Sequence, residues 1–470
     1  MEQYDLLIIG TGPGGYTAAE KAAKGGMKVA VIEKNEIGGV CVNRGCIPTK
    51  ALIHASDLYA DMRNSQLFGI TAEKVDYDST KVYEYKDRVV SQTGEEIQGN
   101  FLKLGITIIR GTARLVWERL VEVTGKDGQV QEVTADIIIL AVGAKPVRPN
   151  IRGIDLPGVV TSDEILSTET DQYEDVIIIG GGVVGIECGN ILHGFGSKIT
   201  ILESKPRILS PMDPEISENL MNYIRKQGVE IHTNSLIQKI TKGVKLDCTY
   251  IENGEEKHVS AGHILVSVGR KFSADGLFAD EYPIKMEDGH IAVDSNFKTN
   301  MEGIYAIGDA IHGIQLAHVA AAQGTFVIEH ILKKEPSIML SIVPSCLFID
   351  LPIVPNCLYL NPEVASVGLS ENEAREKGLN VRCGKYTIDE NSRAIITHDS
   401  VGFIKVVFEA TSDVLIGAQM VCARATDMIG EMATAIANSL TSKQLMYAMR
   451  AHPTYNEAIA KAVENSQEKK

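Results

Sequence analysis

The chain has 470 residues, 44% of them hydrophobic and 23% charged, which is the ordinary composition of a soluble globular protein with about three domains. Its 61 acidic residues outnumber its 46 basic residues and give a formal net charge of −15. This charge argues against nucleic acid or an anionic membrane as a partner, because both require clustered positive charge.

The sequence also argues against a membrane span and a secreted protein. No apolar run reaches the roughly 18 residues that a membrane span needs. The chain enters a predicted strand directly after its first residues, so we expect no signal peptide. Six of the eight cysteines are scattered between residues 188 and 422, unlike a secreted disulfide framework. We therefore expect a cytoplasmic protein.

The first predicted unit, over residues 4–34, is a buried strand, a glycine turn, a helix and a second strand that ends in an acid. Gly10 permits the turn, Gly12 lets the backbone approach a pyrophosphate, and Gly15 allows the helix to pack closely on the strand. The phosphates would meet the free N–H groups at the start of the helix. Glu33 would accept hydrogen bonds from the adenosine ribose.

Two cysteines follow this unit at once. Cys41 and Cys46 are five residues apart, and we expect them to face the same side of a helical turn and to interconvert between dithiol and disulfide. No second Cys/His pair lies nearby to complete a zinc site, and the spacing is not C-x-x-C. Beside a flavin, the pair could pass electrons between a thiol substrate and the ring. The alternative is two unrelated buried cysteines.

The same fingerprint recurs over residues 174–204, at a constant offset of 170 residues. Gly180, Gly182 and Gly185 occupy the three glycine positions, and Glu203 ends the second strand. Two complete units imply two bound dinucleotides, so the protein could hand electrons between a nicotinamide and a flavin.

The remaining segments fit around these units. Residues 132–149 and 262–272 each predict a buried strand and a connection, and residues 299–309 predict a short strand that ends in Gly308-Asp309. From about residue 345 the pattern changes to strands followed by amphipathic helices, including one over 441–450, without a glycine fingerprint. The sequence therefore predicts an α/β protein with two Rossmann-like dinucleotide-binding domains and a C-terminal α+β domain.

A near-repeat interrupts this last part. Residues 342–348 are almost repeated at 353–359, which indicates a small tandem duplication. We expect it to be a structural extension without chemistry of its own.

These motifs, in this order, resemble those of the pyridine nucleotide-disulfide oxidoreductases, and within them the dihydrolipoamide dehydrogenases. The similarity runs from about residue 3 to residue 458. It rests on GTGPGGY at 10–16, GGVCVNRGCIPTK at 38–50, GGGVVGIE at 180–187, VGR at 268–270, GIYAIGD at 303–309, PEVASVG at 362–368 and HPTYNEA at 452–458. The domains that it implies are an FAD-binding domain at 1–149, an NAD-binding domain at 150–272, a return to the FAD-binding domain at 273–344, and a dimerisation domain at 345–470.

The resemblance also implies roles for individual residues. Cys41 would exchange with the substrate thiol, and Cys46 would contact the flavin as a charge-transfer thiolate. Lys50 and Glu187 would form an ion pair near flavin N5, although Glu187 could instead be a first-turn glutamate that the helix dipole favours. The FAD contacts would include Gly10, Gly12, Gly15, Glu33, Lys50, Ala113, Gly143, Asp309 and Ala317. The NAD contacts would include Gly180, Gly182, Gly185, Glu203 and Gly269.

The segment from His452 to Glu457 resembles the family's active-site base motif. Histidine is the natural general base for a dithiol, because the thiolate is the species that attacks a disulfide. Glu457 would orient the imidazole and stabilise its charged form. The alternative is a capping box between Thr454 and Glu457 that only starts the last helix.

The implied activity is oxidation of protein-bound dihydrolipoamide to lipoamide with reduction of NAD, in a homodimer with one tightly bound FAD per chain. The implied partners are lipoyl domains of a 2-oxoacid dehydrogenase or glycine-cleavage complex, and no metal is expected. Glu203 favours NAD because its charge would repel a 2′-phosphate, whereas Lys205 and Arg207 nearby leave NADP open. The alternatives are another NAD(P)H-dependent flavin disulfide reductase, such as a glutathione reductase, and a non-catalytic dinucleotide-binding assembly subunit.

Overall fold

The structure, a computed structural model, describes residues 2–167, 173–339, 341–342 and 351–467. Of the near-repeat, the copy at 342–348 lies outside the described residues except for the backbone of Ile342. Among the residues that are described, no helix is both long and apolar enough to cross a membrane.

The first part of the chain forms most of one mixed sheet. The strands of this part are β1 (Glu2–Ile9), β2 (Val29–Glu33), β3 (Thr107–Arg110), β4 (Thr112–Trp117), β5 (Leu120–Thr124), β6 (Val130–Leu140) and β7 (Lys145–Pro146), of which β7 lies outside the mixed sheet. Its helices are α1 (Pro13–Lys24), α2 (Gly39–Arg44), α3 (Cys46–Arg63) and α4 (Ser79–Lys103). The sheet order is β3-β2-β1-β6-β5-β4, with β1, β2, β3 and β6 parallel and β4, β5 and β6 antiparallel.

The second half of β1, residues 6–9, is a continuous apolar run because both of its faces are covered. Leu6 and Ile8 are fully buried in the cluster that includes α1, whereas Leu7 and Ile9 belong to a second cluster with β4, β5 and β6. The strand is therefore fixed at the centre of the sheet, and the glycine turn that follows it lies at the carboxyl edge.

The second part forms a continuous parallel sheet in the order β11-β10-β9-β15-β8 and a separate antiparallel sheet in the order β12-β13-β14. Its strands are β8 (Val159–Val160), β9 (Asp175–Ile179), β10 (Lys198–Leu202), β11 (Glu230–His232), β12 (Ser235–Lys242), β13 (Leu246–Glu252), β14 (Glu255–Ala261), β15 (His263–Val266) and β16 (Arg270–Lys271). Its helices are α5 (Ser162–Ile165), α6 (Val183–Gly194) and α7 (Pro214–Lys226).

The chain then returns to the first sheet. This third part contains β17 (Met286–Glu287), β18 (His290–Ile291), β19 (Ile304–Ala306) and α8 (Ala317–Ile331). Strand β19 pairs in parallel with the carboxyl half of β6, and α8 packs against α1. Residues far apart in the sequence thus complete one dinucleotide-binding layer.

The C-terminal part is built on an antiparallel sheet in the order β22-β23-β26-β25-β24. Its strands are β20 (Ser341–Ile342), β21 (Leu351–Pro352), β22 (Asn356–Leu358), β23 (Val364–Gly368), β24 (Val381–Thr387), β25 (Phe403–Glu409) and β26 (Leu415–Val421). Its helices are α9 (Glu371–Glu376), α10 (Ser392–Thr397), α11 (Ala425–Ala437), α12 (Ser442–Met446) and α13 (Glu457–Asn465). Every residue of β25 and β26 is buried, because α11 and α13 pack against this sheet and α7 contacts β26.

The predicted fold class is confirmed: two Rossmann-like units and a C-terminal α+β region are present. One predicted helix is shorter than expected, since α12 covers only five residues of the 441–450 segment. The guanidinium of Arg450 donates to the carbonyl oxygens of Leu445 and Ala448, at 3.4 and 3.3 Å, and so satisfies the acceptors where the helix stops.

Candidate active site

The turn after β1 leaves room for a phosphate at the start of α1. A Cβ on Gly10, whose φ is +98°, would lie 2.4 Å from the carbonyl oxygen of Ala141, and one on Gly15 would lie 2.0 Å from that of Gly10. A Cβ on Gly12 would meet nothing within 4 Å, and α1 has no side-chain cap. Two positions thus require glycine for packing, and the third faces open space where a pyrophosphate fits against the helix N-terminus.

Glu33 ends β2 with its carboxylate turned back towards this turn. The residue is 7% exposed. Its Oε2 accepts hydrogen bonds from the N–H and the hydroxyl of Thr11, at 3.0 and 2.6 Å, and its Oε1 accepts from the N–H of Asn35 at 2.9 Å. A carboxylate has about four acceptor positions, so capacity remains for a ribose hydroxyl. Nothing in the sequence marks Thr11 for this role except its place between two glycines.

The second glycine turn, after β9, repeats this geometry. A Cβ on Gly180, whose φ is +108°, would lie 2.6 Å from the carbonyl oxygen of Ser267, and one on Gly185 would lie 2.2 Å from that of Gly180. A Cβ on Gly182 would again meet nothing within 4 Å, and α6 has no side-chain cap. The structure therefore contains two glycine turns of equivalent geometry.

Glu203 ends β10 as Glu33 ends β2. Its Oε2 accepts from the N–H of Gly181 at 2.7 Å, and its Oε1 accepts from the N–H of Lys205 at 2.8 Å. The guanidinium of Arg207 donates to the carbonyl oxygen of Ser210 at 2.8 Å, so it is held by the following loop. The acid is thus fixed at the position where an adenosine ribose is expected.

Cys41 and Cys46 form a disulfide, with their Cα atoms 4.7 Å apart. The expectation that they share one helical turn is wrong, because Gly45 has non-helical backbone angles (φ −150°, ψ −112°) and separates α2 from α3. The hydroxyl of Thr49 donates to the carbonyl oxygen of Gly45 at 2.6 Å in the first turn of α3. Cys46 is therefore the first residue of an 18-residue helix, where the helix dipole stabilises an anion.

Lys50 lies one turn after Cys46 on α3 and pairs with Glu187 of α6. Its Nζ lies 3.0 and 2.9 Å from the two carboxylate oxygens, and the Glu187 side chain is only 5% exposed. The first-turn interpretation of Glu187 is wrong, because α6 begins at Val183 and has no acidic residue in its first turn. The backbone N–H of Tyr359 also donates to Glu187, at 3.1 Å, a contact for which the sequence gives no signal.

His452 and Glu457 are joined by a hydrogen bond of 2.9 Å between Nδ1 and Oε1. The backbone N–H of Thr454 donates to Oε2 of Glu457 at 2.9 Å. These two contacts lower the pKa of Glu457, the backbone contact more than the histidine, so the acid stays ionised beside the imidazole. The interpretation of Thr454 and Glu457 as a full capping box is wrong. The hydroxyl of Thr454 donates to the carbonyl oxygen of Ala451, and α13 begins only after Asn456.

The remaining predicted cofactor residues are Asp309, Ala113, Ala317, Gly143 and Gly269, and they lie in different elements and connections. Asp309 occupies a short 3-10 turn after β19, and the N–H of Gly308 in this turn donates to Oε1 of Gln323 at 2.7 Å. Burial raises the pKa of Asp309, and Arg270 and His290 oppose this shift. Ala113 lies in β4 and Ala317 begins α8. Gly143 and Gly269 have φ values of +70° and +120°, and a Cβ on either would meet nothing within 4 Å.

In the part of the chain that the structure describes, His452 makes no hydrogen bond or ion pair with the cysteine pair. Among the described residues, its hydrogen bond goes to Glu457, and 70% of its side chain is exposed. The helix α13 that follows it packs on β24 and β25, whereas α2 and α3 pack on each other and on α4, and α3 also on α6. The imidazole is therefore open to contact from another chain.

Comparisons with known proteins agree with this geometry. Residues 4–324 match the family model described as pyridine nucleotide-disulphide oxidoreductase, and residues 354–463 match the dimerisation domain of the same family. The second match supports the predicted homodimer. A dihydrolipoyl dehydrogenase of Geobacillus stearothermophilus is 36% identical over 469 residues, which cover 98% of this chain and 95% of the relative. One from Bacillus subtilis is also 36% identical, with 98% and 96% covered.

Solved structures show the same fold over the whole chain. The flavoprotein disulfide reductase RclA of Escherichia coli, solved as a Cu(II) complex, superposes with a TM-score of 0.86, 26% identity and 99% coverage of both chains. LpdA of Mycobacterium tuberculosis gives a TM-score of 0.88 at 24% identity and the same coverage. The chain therefore belongs to the pyridine nucleotide-disulphide oxidoreductase family, as a flavin-dependent disulfide oxidoreductase that uses FAD and NAD.

Proposed function

We propose that the protein oxidises protein-bound dihydrolipoamide to lipoamide and reduces NAD. The observation that carries this proposal is the Cys41–Cys46 disulfide. Cys46 is the first residue of α3, and Lys50 in the next turn of that helix pairs with Glu187. A disulfide in this place can accept two electrons from a dithiol. The dihydrolipoyl dehydrogenases that are similar over nearly the full chain support this choice of dithiol.

The residues of the two glycine turns fit the two dinucleotides. Gly12 and Glu33 would hold the pyrophosphate and ribose of FAD, with Asp309 at its ribityl chain, and Gly182 and Glu203 would hold those of NAD. When bound, FAD supplies the two-electron acceptor between the thiols and the nicotinamide. The chain's own task is to present Cys46 and the Lys50 ammonium to that acceptor.

The thiol steps follow from the positions of the base and the two cysteines. In the homodimer, His452 of one chain would serve the cysteine pair of the other, taking a proton from a substrate thiol while ionised Glu457 stabilises the imidazolium. The thiolate attacks Sγ of Cys41, forms a mixed disulfide and releases Cys46 as a thiolate. The second substrate thiol then attacks the substrate sulfur of that mixed disulfide, which releases Cys41 and leaves oxidised lipoamide.

We extend the proposal to partners, compartment and domains. The partners would be lipoyl domains of a 2-oxoacid dehydrogenase or glycine-cleavage complex. Five cysteines among the described residues are unpaired thiols, which suits a reducing compartment such as the cytoplasm. The FAD-binding domain would comprise 1–149 and 273–344, the NAD-binding domain 150–272 and the dimerisation domain 345–470, a division supported by the pairing of β19 with β6.

The test is anaerobic reduction of the bound flavin. We expect dihydrolipoamide to reduce it rapidly, and NAD to reoxidise it faster than NADP. Faster reduction by NADPH with turnover of oxidised glutathione would instead establish a glutathione-reductase-like enzyme. Correctly folded protein that takes up no FAD would establish a non-catalytic role.

A further inference from the structure

In the part of the chain that the structure describes, Tyr359 connects the C-terminal part to the Lys50–Glu187 ion pair. Tyr359 follows β22, and its backbone N–H donates to Oε1 of Glu187 at 3.1 Å. The Nζ of Lys50 lies over the Tyr359 ring, 4.6 Å from the ring centroid. One tyrosine therefore contacts both partners of the ion pair, and the three residues come from three different parts of the chain.

The position of Tyr359 is fixed by its two neighbours. Leu358 is fully buried and Leu360 is 5% exposed, and both belong to a hydrophobic cluster that contains Ile186 and Cys188 of α6. Tyr359 between them is 37% exposed, as expected for an extended segment in which alternate side chains face opposite sides. The segment is thus anchored on the same helix that carries Glu187, and the ring is directed to the other side, over Lys50.

This arrangement suits an ammonium group that must stay in one place. A carboxylate and an aromatic face attract the same ammonium without adding a second negative charge, so the site stays neutral overall. Burial raises the pKa of the Tyr359 phenol, and electrostatic repulsion from the neighbouring Cys357 adds to this effect. The phenol therefore remains neutral. The Lys50 side chain is 32% exposed, so removal of the ring would give solvent and reagents more access to the ammonium.

We propose that Tyr359 is a positioning residue that holds the Lys50 ammonium against Glu187 at the redox centre. The proposal deepens the proposed function and depends on it only for the role of Lys50 beside the flavin. It also gives a chemical role to the second copy of the near-repeat, residues 353–359, which the sequence alone marks as a structural extension.

The test compares Tyr359→Leu, which removes the ring and keeps the backbone N–H, with Tyr359→Phe, which keeps the ring. Tyr359→Met is a second ring-free variant, so the result does not depend on the folding of one protein. Tyr85→Leu on α4 is the matched control, because Tyr85 is a half-buried tyrosine outside this contact. FAD content and thermal melting establish that each purified variant is folded.

The first measurement is the rate at which acetic anhydride modifies Lys50, followed by mass spectrometry of the FAD-containing protein. We expect the ring-free variants to react about 3- to 30-fold faster at Lys50, which is the range that a cation–π contact supports. Tyr359→Phe and Tyr85→Leu should match the wild type. This result does not depend on which thiol is the substrate, so its failure is distinguishable from failure of the proposed function.

The second measurement is the midpoint potential of the bound flavin. A displaced ammonium no longer stabilises negative charge on the reduced flavin. We therefore expect the variants without the Tyr359 ring to have a more negative midpoint potential and Tyr359→Phe to keep the wild-type potential. An unchanged Lys50 modification rate, or an unchanged potential, in folded ring-free variants would overturn the proposal.

Discussion

Replacing His452 by glutamine tests the proposed base most directly. Glutamine cannot take a proton from a thiol at neutral pH, so dihydrolipoamide-dependent reduction of NAD should fall by about 10²–10⁴-fold, the usual contribution of a general base. That factor corresponds to about 2.7–5.5 kcal/mol in the activation free energy. The substitution removes the hydrogen bond between His452, whose side chain is 70% exposed, and Glu457, whose side chain is 30% exposed. The free energy of unfolding should therefore fall by only about 0–1 kcal/mol. The expected kinetic loss is therefore larger than the expected loss of stability.

The assay pairs two reactions of the same protein. Electron transfer from NADH to an artificial acceptor needs neither the thiols nor the base, and we expect it to stay within about twofold of the wild type. The control is His258→Gln, because His258 is also an exposed histidine that pairs with a carboxylate, at 3.3 Å from Asp247, and it lies in β14 away from the cysteines. It should leave both reactions unchanged.

The start of α13 provides an internal check on the folded state. The hydrogen bond from the N–H of Thr454 to Glu457 does not involve His452, so His452→Gln should melt at nearly the wild-type temperature. Turnover of dihydrolipoamide at the wild-type rate by this variant would refute the general-base role and leave the segment only a structural one at the start of the helix.

Three further predictions concern the thiols, the nucleotide and a half-buried acid. Visible spectra should show a long-wavelength band from the Cys46 thiolate against bound FAD in Cys41→Ser and none in Cys46→Ser; the opposite result would exchange their roles. Glu203→Ala should relax the preference for NAD, measured as kcat/KM for NAD and NADP, and a wild type that prefers NADP would contradict the assignment. Burial, and then three neighbouring carboxylates, raise the pKa of Asp57 from its ordinary value of 3.8 to about 6. The folded protein is therefore less stable once Asp57 is ionised, and the stability is lost as the pH rises from 3.8 to above 6. Asp57→Asn should therefore add on the order of 1–3 kcal/mol of stability at pH 7.5 and almost none at pH 3.5, as measured by urea unfolding.

The parts of the site that lie close together in the sequence could be predicted from it. The glycine turns and the acids Glu33 and Glu203 belong to single strand–turn–helix–strand units, so spacing alone places them. The Cys41–Cys46 disulfide is likewise local, although its geometry depends on the break at Gly45, which a periodicity argument does not anticipate.

Contacts between distant parts of the chain could not be read from any pattern. The ion pair of Lys50 and Glu187 joins residues 137 apart, and its prediction rested on family resemblance. The sequence gives no signal for the contact of Tyr359 with Glu187. The contact depends on Leu358 and Leu360, the buried neighbours of Tyr359, which pack on α6 of the second part. Tertiary packing, not local propensity, decides such positions.

The pairing of β19 with β6 also sets an order of events during synthesis. The first sheet lacks its last parallel strand until Ile304–Ala306 have been made, whereas the parallel sheet of the second part draws all of its strands from Val159–Val266. At about 5–20 residues per second, the ribosome needs roughly 10–30 s to pass from β6 to β19. The inserted unit can therefore fold as a whole while the sheet that precedes it is still open. The proposed flavin site includes Asp309 after β19, so it would be the later of the two proposed nucleotide sites to form.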